Sequence, residues 1–298
     1  MASGLRTAAR LGAAALALGA SAVLYAHWEA SSFRLRRQDL PILNAGQREL
    51  RILHVSDLHM VPGQAAKQAW VAQLAQLHPH AVIFTGDFLS HVDAIPVALN
   101  TVAPLMHLPG AFVLGSNDYY APRPLNPMKY IAGPSQLAPK RAMLDWGQLV
   151  HGLTAAGWQD LSNRRSALTV DGRRIDVRGV DDPHIARDDY GAVAGAFDAS
   201  ADLRLGITHA PYLRVLDAMA ADGADLILAG HTHGGQLAVP GFGALVTNCD
   251  IDRARAKGLS RHGDSALHVS AGLGTSVYAP VRFACPPEAT LLTLTAGS

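Results

Sequence analysis

The chain has 298 residues, about half of them apolar, and a formal net charge of +1. That length can bury one large core or two modest ones. A near-neutral balance, without a stripe of Lys and Arg interleaved with aromatics, argues against a nucleic-acid partner. The two cysteines, Cys249 and Cys285, form no CxxC pair, which excludes a zinc ribbon or a thioredoxin-like motif. They read as two buried thiols or one disulfide.

In chain order, the first feature is an uncharged run, LGAAALALGASAVLYA, from Leu11 to Ala26, preceded by Arg6 and Arg10. As a helix this run spans ~24 Å, short of the ~30 Å hydrocarbon core of a bilayer. His27 and Trp28 nearly close the gap, and Tyr25 and Trp28 suit a membrane interface. Residues 1–30 are expected to be a single-pass anchor in the cell membrane. A signal peptide cleaved near Ala20-Ser21-Ala22 is the alternative. Arg6 and Arg10 on one side, and Arg34, Arg36 and Arg37 on the other, leave the orientation nearly tied. Residues 31–50 read as a linker and residues 51–298 as one domain.

Within that domain RILHVS (51–56), AVIFTG (81–86) and AFVLG (111–115) read as buried strands. QAAKQAWVAQLAQL (64–77) places Trp70, Val71, Leu74 and Leu77 on one helical face, and RAMLDWGQLVHGLTAAG (141–157) is a helix stopping at Gly157. ALTVDGRRIDVRGV (167–180) is two strands around Asp171-Gly172, a hairpin signal. LRLGITH (203–209) is a strand, PYLRVLDAMAADG (211–223) a helix and ADLILAG (224–230) a strand. ALHVSAG (266–272) and ATLLTL (289–294) are the last strands. Alternation first and hairpins later point to α/β layers around more than one sheet. Ala121 to Pro139, with five prolines, is long for a plain connection and reads as a lid or a surface insertion.

Five of the apolar runs feed loops that carry metal-type ligands. HVSDLH offers Asp57 and His59, and FTGD offers Asp87. VLGSND offers Asn117 beside Asp118, GITHAP offers His209, and LAGHTHGG offers His231 and His233. Ligands gather at the carboxyl ends of strands in open α/β sheets. Asp57/His59 and His231/His233 are i, i+2 pairs, which in extended chain point to one side. Taken singly, each residue reads as a turn cap or a surface histidine. Five such loops in order are hard to produce as caps. Carboxylate, imidazole and amide oxygen, without thiolate, suit Mn, Fe or Zn. Seven ligands are too many for one tetrahedral ion. Two divalent ions sharing a bridging carboxylate would use them all, and such pairs serve phosphoryl chemistry.

The series Asp57-x-His59, Gly86-Asp87, Gly115-Ser116-Asn117-Asp118, His209 and Gly230-His231-Thr232-His233 resembles the calcineurin-like metallophosphoesterase family, over roughly Arg51 to Leu294. DLH, TGD and GHTHGGQ look like its bacterial membrane-associated branch. The resemblance implies a four-layer α/β/β/α sandwich around a dinuclear centre. One ion would take Asp57, His59 and His233, the other Asn117, His209 and His231, with Asp87 between them and His231 backing onto the substrate phosphate. One motif departs from the pattern. The family reads Gly-Asn-His-Asp where this chain reads Gly-Ser-Asn-Asp. A gapless match puts Ser116 at the metal position. A serine hydroxyl is a weak ligand and an asparagine carbonyl a good one, so Asn117 is expected to bind metal after a one-residue shift. The motif's histidine is absent either way.

His184, in the loop GVDDPHIARDDY, is a candidate to replace it, against a plain turn histidine. Packing or salt-bridge roles are favoured for Tyr119, Tyr120 and Arg282 over phosphate contact. The expected function is hydrolysis of a phosphate mono- or diester, with His231, Asp87, Asn117 and His184 catalytic. The anchor favours a phospholipid or lipid-linked nucleotide. A nucleotide or cyclic-nucleotide phosphodiesterase is the alternative, and a catalytically weak, membrane-tethered metal-binding module is the reading from another class.

Overall fold

In the computed structural model, which describes residues 2–124 and 141–297, two six-stranded sheets lie face to face. The first sheet runs in the order β1 (Arg34–Leu43), β14 (Glu288–Ala296), β2 (Leu50–Val55), β3 (Ala81–Thr85), β4 (Gly110–Val113) and β5 (Gln159–Asp160). The second runs β12 (Gly258–His262), β13 (Ser265–Val269), β9 (Leu226–Ala229), β8 (Leu203–Ile207), β7 (Arg173–Gly179) and β6 (Arg164–Val170). A small hairpin, β10 (Ala238–Val239) and β11 (Gly243–Ala244), stands apart.

β2, β3 and β4 pair in parallel and are buried on both faces, which is why their sequences are nearly continuous apolar runs. One face packs Ile52, Ile83 and Val113 against Val177, Leu205, Ile207 and Leu228 of the second sheet. The other face packs Val55, Phe84 and Phe112 against α2 (Ala65–Gln73), α3 (Ile95–Val102) and the helix Trp146–Ala155. The helix Leu213–Ala221 covers the second sheet with Val215, Leu216 and Met219. The layers are therefore α/β/β/α, as the resemblance implied.

The β6–β7 hairpin turns at Asp171-Gly172, both with positive φ (50° and 76°), as a two-residue type I′ turn requires. Residues 31–50 are not a linker throughout. They contain β1, which runs parallel to β14 from Arg34 opposite Glu288 to Leu40 opposite Leu294. An edge strand needs few apolar residues and tolerates Pro41, so its charges masked it. The helix expected over 64–77 tightens to 3₁₀ geometry at Leu74. The helix expected from Arg141 starts at Trp146, where the Asp145 carboxylate accepts from the Gln148 amide. The residues before it pair instead with 119–121, through Ala121 N–H to the Ala142 carbonyl and Leu144 N–H to the Tyr119 carbonyl. Most of the proline-rich stretch Ala121–Pro139 lies outside the described residues. Cys249 and Cys285 are free, buried thiols.

The N-terminal helix, α1, extends from Ala2 to Glu29. Arg10–Glu29 is apolar and long enough to cross a membrane. Its last turn docks on the domain. Ala26 and Glu29 are buried, the Ala26 carbonyl accepts from Arg282 N–H (2.9 Å), and Glu29 Oε2 accepts from Cys285 N–H (3.1 Å).

Candidate metal centre

The loops leaving β2, β3, β4, β8 and β9 meet at one end of the sandwich. Asp57, His59, Asp87, His231 and His233 all have positive φ, between 45° and 69°. Each such residue costs of order 1–3 kcal/mol, strain that persists only where surrounding contacts over-determine it. The two i, i+2 pairs therefore converge through left-handed turns and not through extended chain. Glycines make room beside them. A Cβ on Gly115 would lie 2.7 Å from His209 Nε2, and one on Gly230 would lie 2.6 Å from Asp57 Oδ2.

Two groups of donors share one carboxylate. His233 Nε2 lies 3.5 Å from Asp57 Oδ1 and 3.1 Å from His59 Nε2, and His59 Nε2 lies 3.4 Å from Asp87 Oδ2. One ligand atom from each of these four residues falls within 4.8 Å of the others. On the other side of Asp87, His209 Nε2 lies 3.6 Å from Oδ2. Asn117 donates its side-chain amide to Asp87 Oδ2 (2.7 Å) and its backbone N–H to Oδ1 (2.9 Å). The His231 ring centroid is 5.1 Å from that of His209. Ser116 Oγ lies 3.5 Å from the Asn117 amide nitrogen, so both alignments of the motif bring a side chain here, but it is Asn117 that touches Asp87. Turning the Asn117 amide over would present its oxygen where the nitrogen now sits.

The residues fit divalent ions. Three histidines donate one ring N–H to a backbone carbonyl: His209 Nδ1 to Thr85 (2.7 Å), His231 Nε2 to Asn248 (3.1 Å) and His233 Nδ1 to Gly274 (3.2 Å). A carbonyl only accepts, so in the neutral form of the His209 and His231 rings the opposite nitrogen keeps its lone pair for a metal, whereas His233 Nδ1 also has the Arg282 guanidinium, a donor, at 3.2 Å. His209 Nε2 is buried and has no hydrogen-bond partner among the described residues. Burial pushes the pKa of His231 and His233 well down, and that of His59 to about 4 against the opposing charge of Asp87. Rings held neutral are rings able to ligate. Burial also lowers His209, but the carboxylates of Asp87, Asp182 and Asp57 outweigh it and raise the pKa to about 9, so without a metal this ring carries a proton that a bound cation would displace. Asp57 is pushed up to about 6, mainly by burial. For Asp87, burial acts upward, and the His209 and His59 rings overcome it and hold the carboxyl below its usual range.

Supports around the ligands were less visible in sequence. Asp118 is fully buried and accepts four backbone N–H bonds, from Asp87 (2.9 Å), Gly115 (2.9 Å), Phe88 (2.7 Å) and Leu89 (3.2 Å). It ties the loop of Asp87 to the loop of Asn117. Burial and the charge of Asp87 push its pKa up, and the four donors favour the ionised form. Tyr119 is buried and donates to Asp181 (2.8 Å), with the Arg187 guanidinium over its ring. Arg282 is buried and donates to the carbonyls of Ala271, Gly272 and Gly274, behind His233. The packing roles expected for Tyr119 and Arg282 are the ones found. The His184 ring centroid stands 4.4 Å from that of His231, with Nδ1 3.1 Å from the Tyr212 hydroxyl. Burial, then His209, brings its pKa down to about 4.

Residues 50–235 match the calcineurin-like phosphoesterase family. The chain belongs to that family. It is thus a metal-dependent hydrolase of phosphate esters. Phosphodiesterase YaeI of Escherichia coli (strain K12) is 26% identical over 279 residues, covering 91% of this chain and 92% of its own. Two uncharacterized metallophosphoesterases of Bacillus subtilis (strain 168) are similar too. YkoQ is 28% identical over 252 residues, 82% of this chain and 83% of its own. YkuE is 26% identical over 256 residues, 82% and 78%.

Proposed function

We propose that this metallophosphoesterase works with two divalent ions of the Mn, Fe or Zn class, on a phosphate ester presented at a membrane. Asp57, His59 and His233 would hold one ion, Asn117, His209 and His231 the other, and Asp87 would serve both. The observation that carries this is the position of Asp87, whose Oδ2 has His59 Nε2 at 3.4 Å, His209 Nε2 at 3.6 Å and the Asn117 amide at 2.7 Å. When bound, such ions polarise phosphoryl oxygens and neutralise charge on them. His231 is oriented by Asn248, so its free ring nitrogen faces the site. Asn117 cannot supply a proton, because an amide does not titrate. His184, tilted against His231 with ring centroids 4.4 Å apart and hydrogen-bonded to Tyr212, is held neutral by burial, so it can accept a proton but is poorly placed to give one to a leaving group. The site is expected to favour leaving groups that need little protonation, such as aryl or anhydride-linked ones. The apolar length of α1 supports a single-pass anchor and, with it, a phospholipid or lipid-linked nucleotide over a free nucleotide.

The test is metal content and turnover of the full chain in detergent, loaded with Mn, Fe or Zn. Two ions per chain are expected, with Asp87→Ala losing both and Asn117→Ala losing one. Aryl phosphodiesters should be turned over faster than alkyl ones, because general-acid help is worth roughly 10²–10⁴ in rate. A single ion per chain refutes the dinuclear reading. Equal rates on both ester types, with chemistry rate-limiting, refute the leaving-group argument. No turnover with both ions loaded leaves a metal-binding module in place of the enzyme.

A further inference from the structure

Outside α1, the exposed large apolar side chains among the described residues are seven, and five of them sit on two loops. Val239, Phe242 and Leu245 belong to the β10–β11 hairpin and its exit, and Val277 and Tyr278 to the segment that follows Gly274. Single exposed apolar residues are ordinary, whereas neighbouring ones mark an interaction surface. These two loops are neighbours. Leu237 bridges to Phe283, the Ala238 N–H donates to the Phe283 carbonyl (2.8 Å), and Gln236 Nε2 donates to the carbonyls of Ala279 and Val281.

The second loop is fastened to the last turn of α1, and the hairpin is held to it through Phe283. Arg282 N–H donates to the Ala26 carbonyl (2.9 Å), His27 Nδ1 donates to the Pro280 carbonyl (3.2 Å), and the Tyr25 ring meets Phe283 edge-on at 5.4 Å. The apolar span ends at Glu29, with Trp28 beside it 60% exposed. Loops tied to the end of a span lie at the depth where bilayer meets water. Arg253 places its guanidinium 4.7 Å from the Phe242 ring centroid, the mixture of cation and aromatic suited to lipid headgroups. Both loops also start at the metal centre. Leu237 follows His233 by four residues, at most ~14 Å of extended chain, and Val277 follows Gly274, the carbonyl partner of His233, by three, at most ~11 Å.

We propose that the β10–β11 hairpin and the segment carrying Val277 and Tyr278 form a collar that inserts into the bilayer surface at the foot of α1. The metal centre then opens onto lipid headgroups and takes a phosphate ester carrying acyl chains directly from the membrane. The proposal rests on α1 being an anchor. Continuity with that helix is what selects a bilayer as the occupant over a second protein.

The test uses the full chain in phosphatidylcholine–phosphatidylglycerol vesicles, with and without brominated lipids. A fluorophore is attached at Phe242→Cys, Tyr278→Cys, Leu18→Cys or Asp171→Cys, in a chain whose own cysteines are buried. Brominated lipid should quench the label at 18, 242 and 278 and leave the label at 171, on the far hairpin turn, unchanged. Quenching at 18 without quenching at 242 and 278 overturns the collar and keeps the anchor. No quenching at 18 overturns the anchor and the collar with it. A signal at 242 that follows protein density and not brominated lipid reports a second copy and also overturns the collar. In parallel, Phe242→Ser with Tyr278→Ser should slow hydrolysis of a vesicle-borne long-chain phosphodiester about tenfold and leave a soluble aryl phosphodiester unaffected. Equal loss on both substrates shows damage to the metal centre and refutes membrane engagement as the cause.

Discussion

Asp118→Asn exchanges one oxygen for an NH₂ group at nearly constant volume. The Asp118 carboxylate receives the Asp87 and Gly115 N–H groups on Oδ2 and those of Phe88 and Leu89 on Oδ1. Whichever way the new amide settles, two backbone donors face a donor. A buried donor left unmatched costs about 1–3 kcal/mol, so the substitution should cost about 2–6 kcal/mol. That is a large part of a typical stability of about 5–15 kcal/mol. The damage should be local first, because the four amides belong to the loops that carry Asp87 and Asn117. Hydrogen exchange at Asp87, Phe88 and Gly115, read on the full chain in detergent, should accelerate by at least ~30-fold, alongside a lower urea midpoint and loss of bound metal. If exchange and midpoint both match the parent, Asp118 carries a proton in the fold and the four-donor cage is not what holds the loops.

Other expectations follow from single contacts. Ser116→Ala should keep the metal content that Asn117→Ala reduces; the reverse pattern in metal analysis would show that the gapless alignment was right. Arg282→Lys keeps the charge but cannot reach three carbonyls at once, so zinc titration should show affinity at the His233 side weakened about 10–100-fold, with unchanged affinity counting against a supporting role. His268 and His54 face each other across the two sheets (Nδ1 to Nδ1, 2.8 Å), and burial lowers the His268 pKa to about 4. A base with a depressed folded pKa takes up protons more readily when unfolded. Its contribution is therefore complete above about pH 6.5 and lost as the pH falls toward 4, at about 1.4 kcal/mol per unit. His268→Leu should remove one proton from that slope in urea titrations between those values, and an unchanged slope would show that His268 does not titrate there.

What could be read from the chain, and what could not, divides along physical lines. β2, β3 and β4 announce themselves because a parallel strand covered on both faces must be apolar throughout. β1 does not, because one edge of it faces water and its Arg36 is there for Glu288. The chemical types in the site loops were legible, since few residues offer carboxylate and imidazole donors. The left-handed backbone of Asp57, His59, His231 and His233 was not, because no glycine marks those positions. Nor were the carbonyls of Thr85, Asn248 and Gly274, since every residue has a carbonyl and only the fold chooses which one meets a ring. Asp118 stood in plain sight in VLGSNDYY, but its task depends on three amides about thirty residues upstream.

The pairing of β1 with β14 bears on how the molecule is made. Arg34 lies opposite Glu288 and Leu294 opposite both Leu40 and Leu50, so the last strand is the piece that joins β1 to β2. During synthesis, β1 emerges beside the apolar helix and must wait for some 250 residues before its partner exists. Closure over that distance is slow, and an unpaired edge is open to other chains meanwhile. The arginines on β1 hinder such pairing during the wait. Shortening the chain before β14 would leave the first sheet split in two, with the foot of the helix detached from the strand that completes the domain.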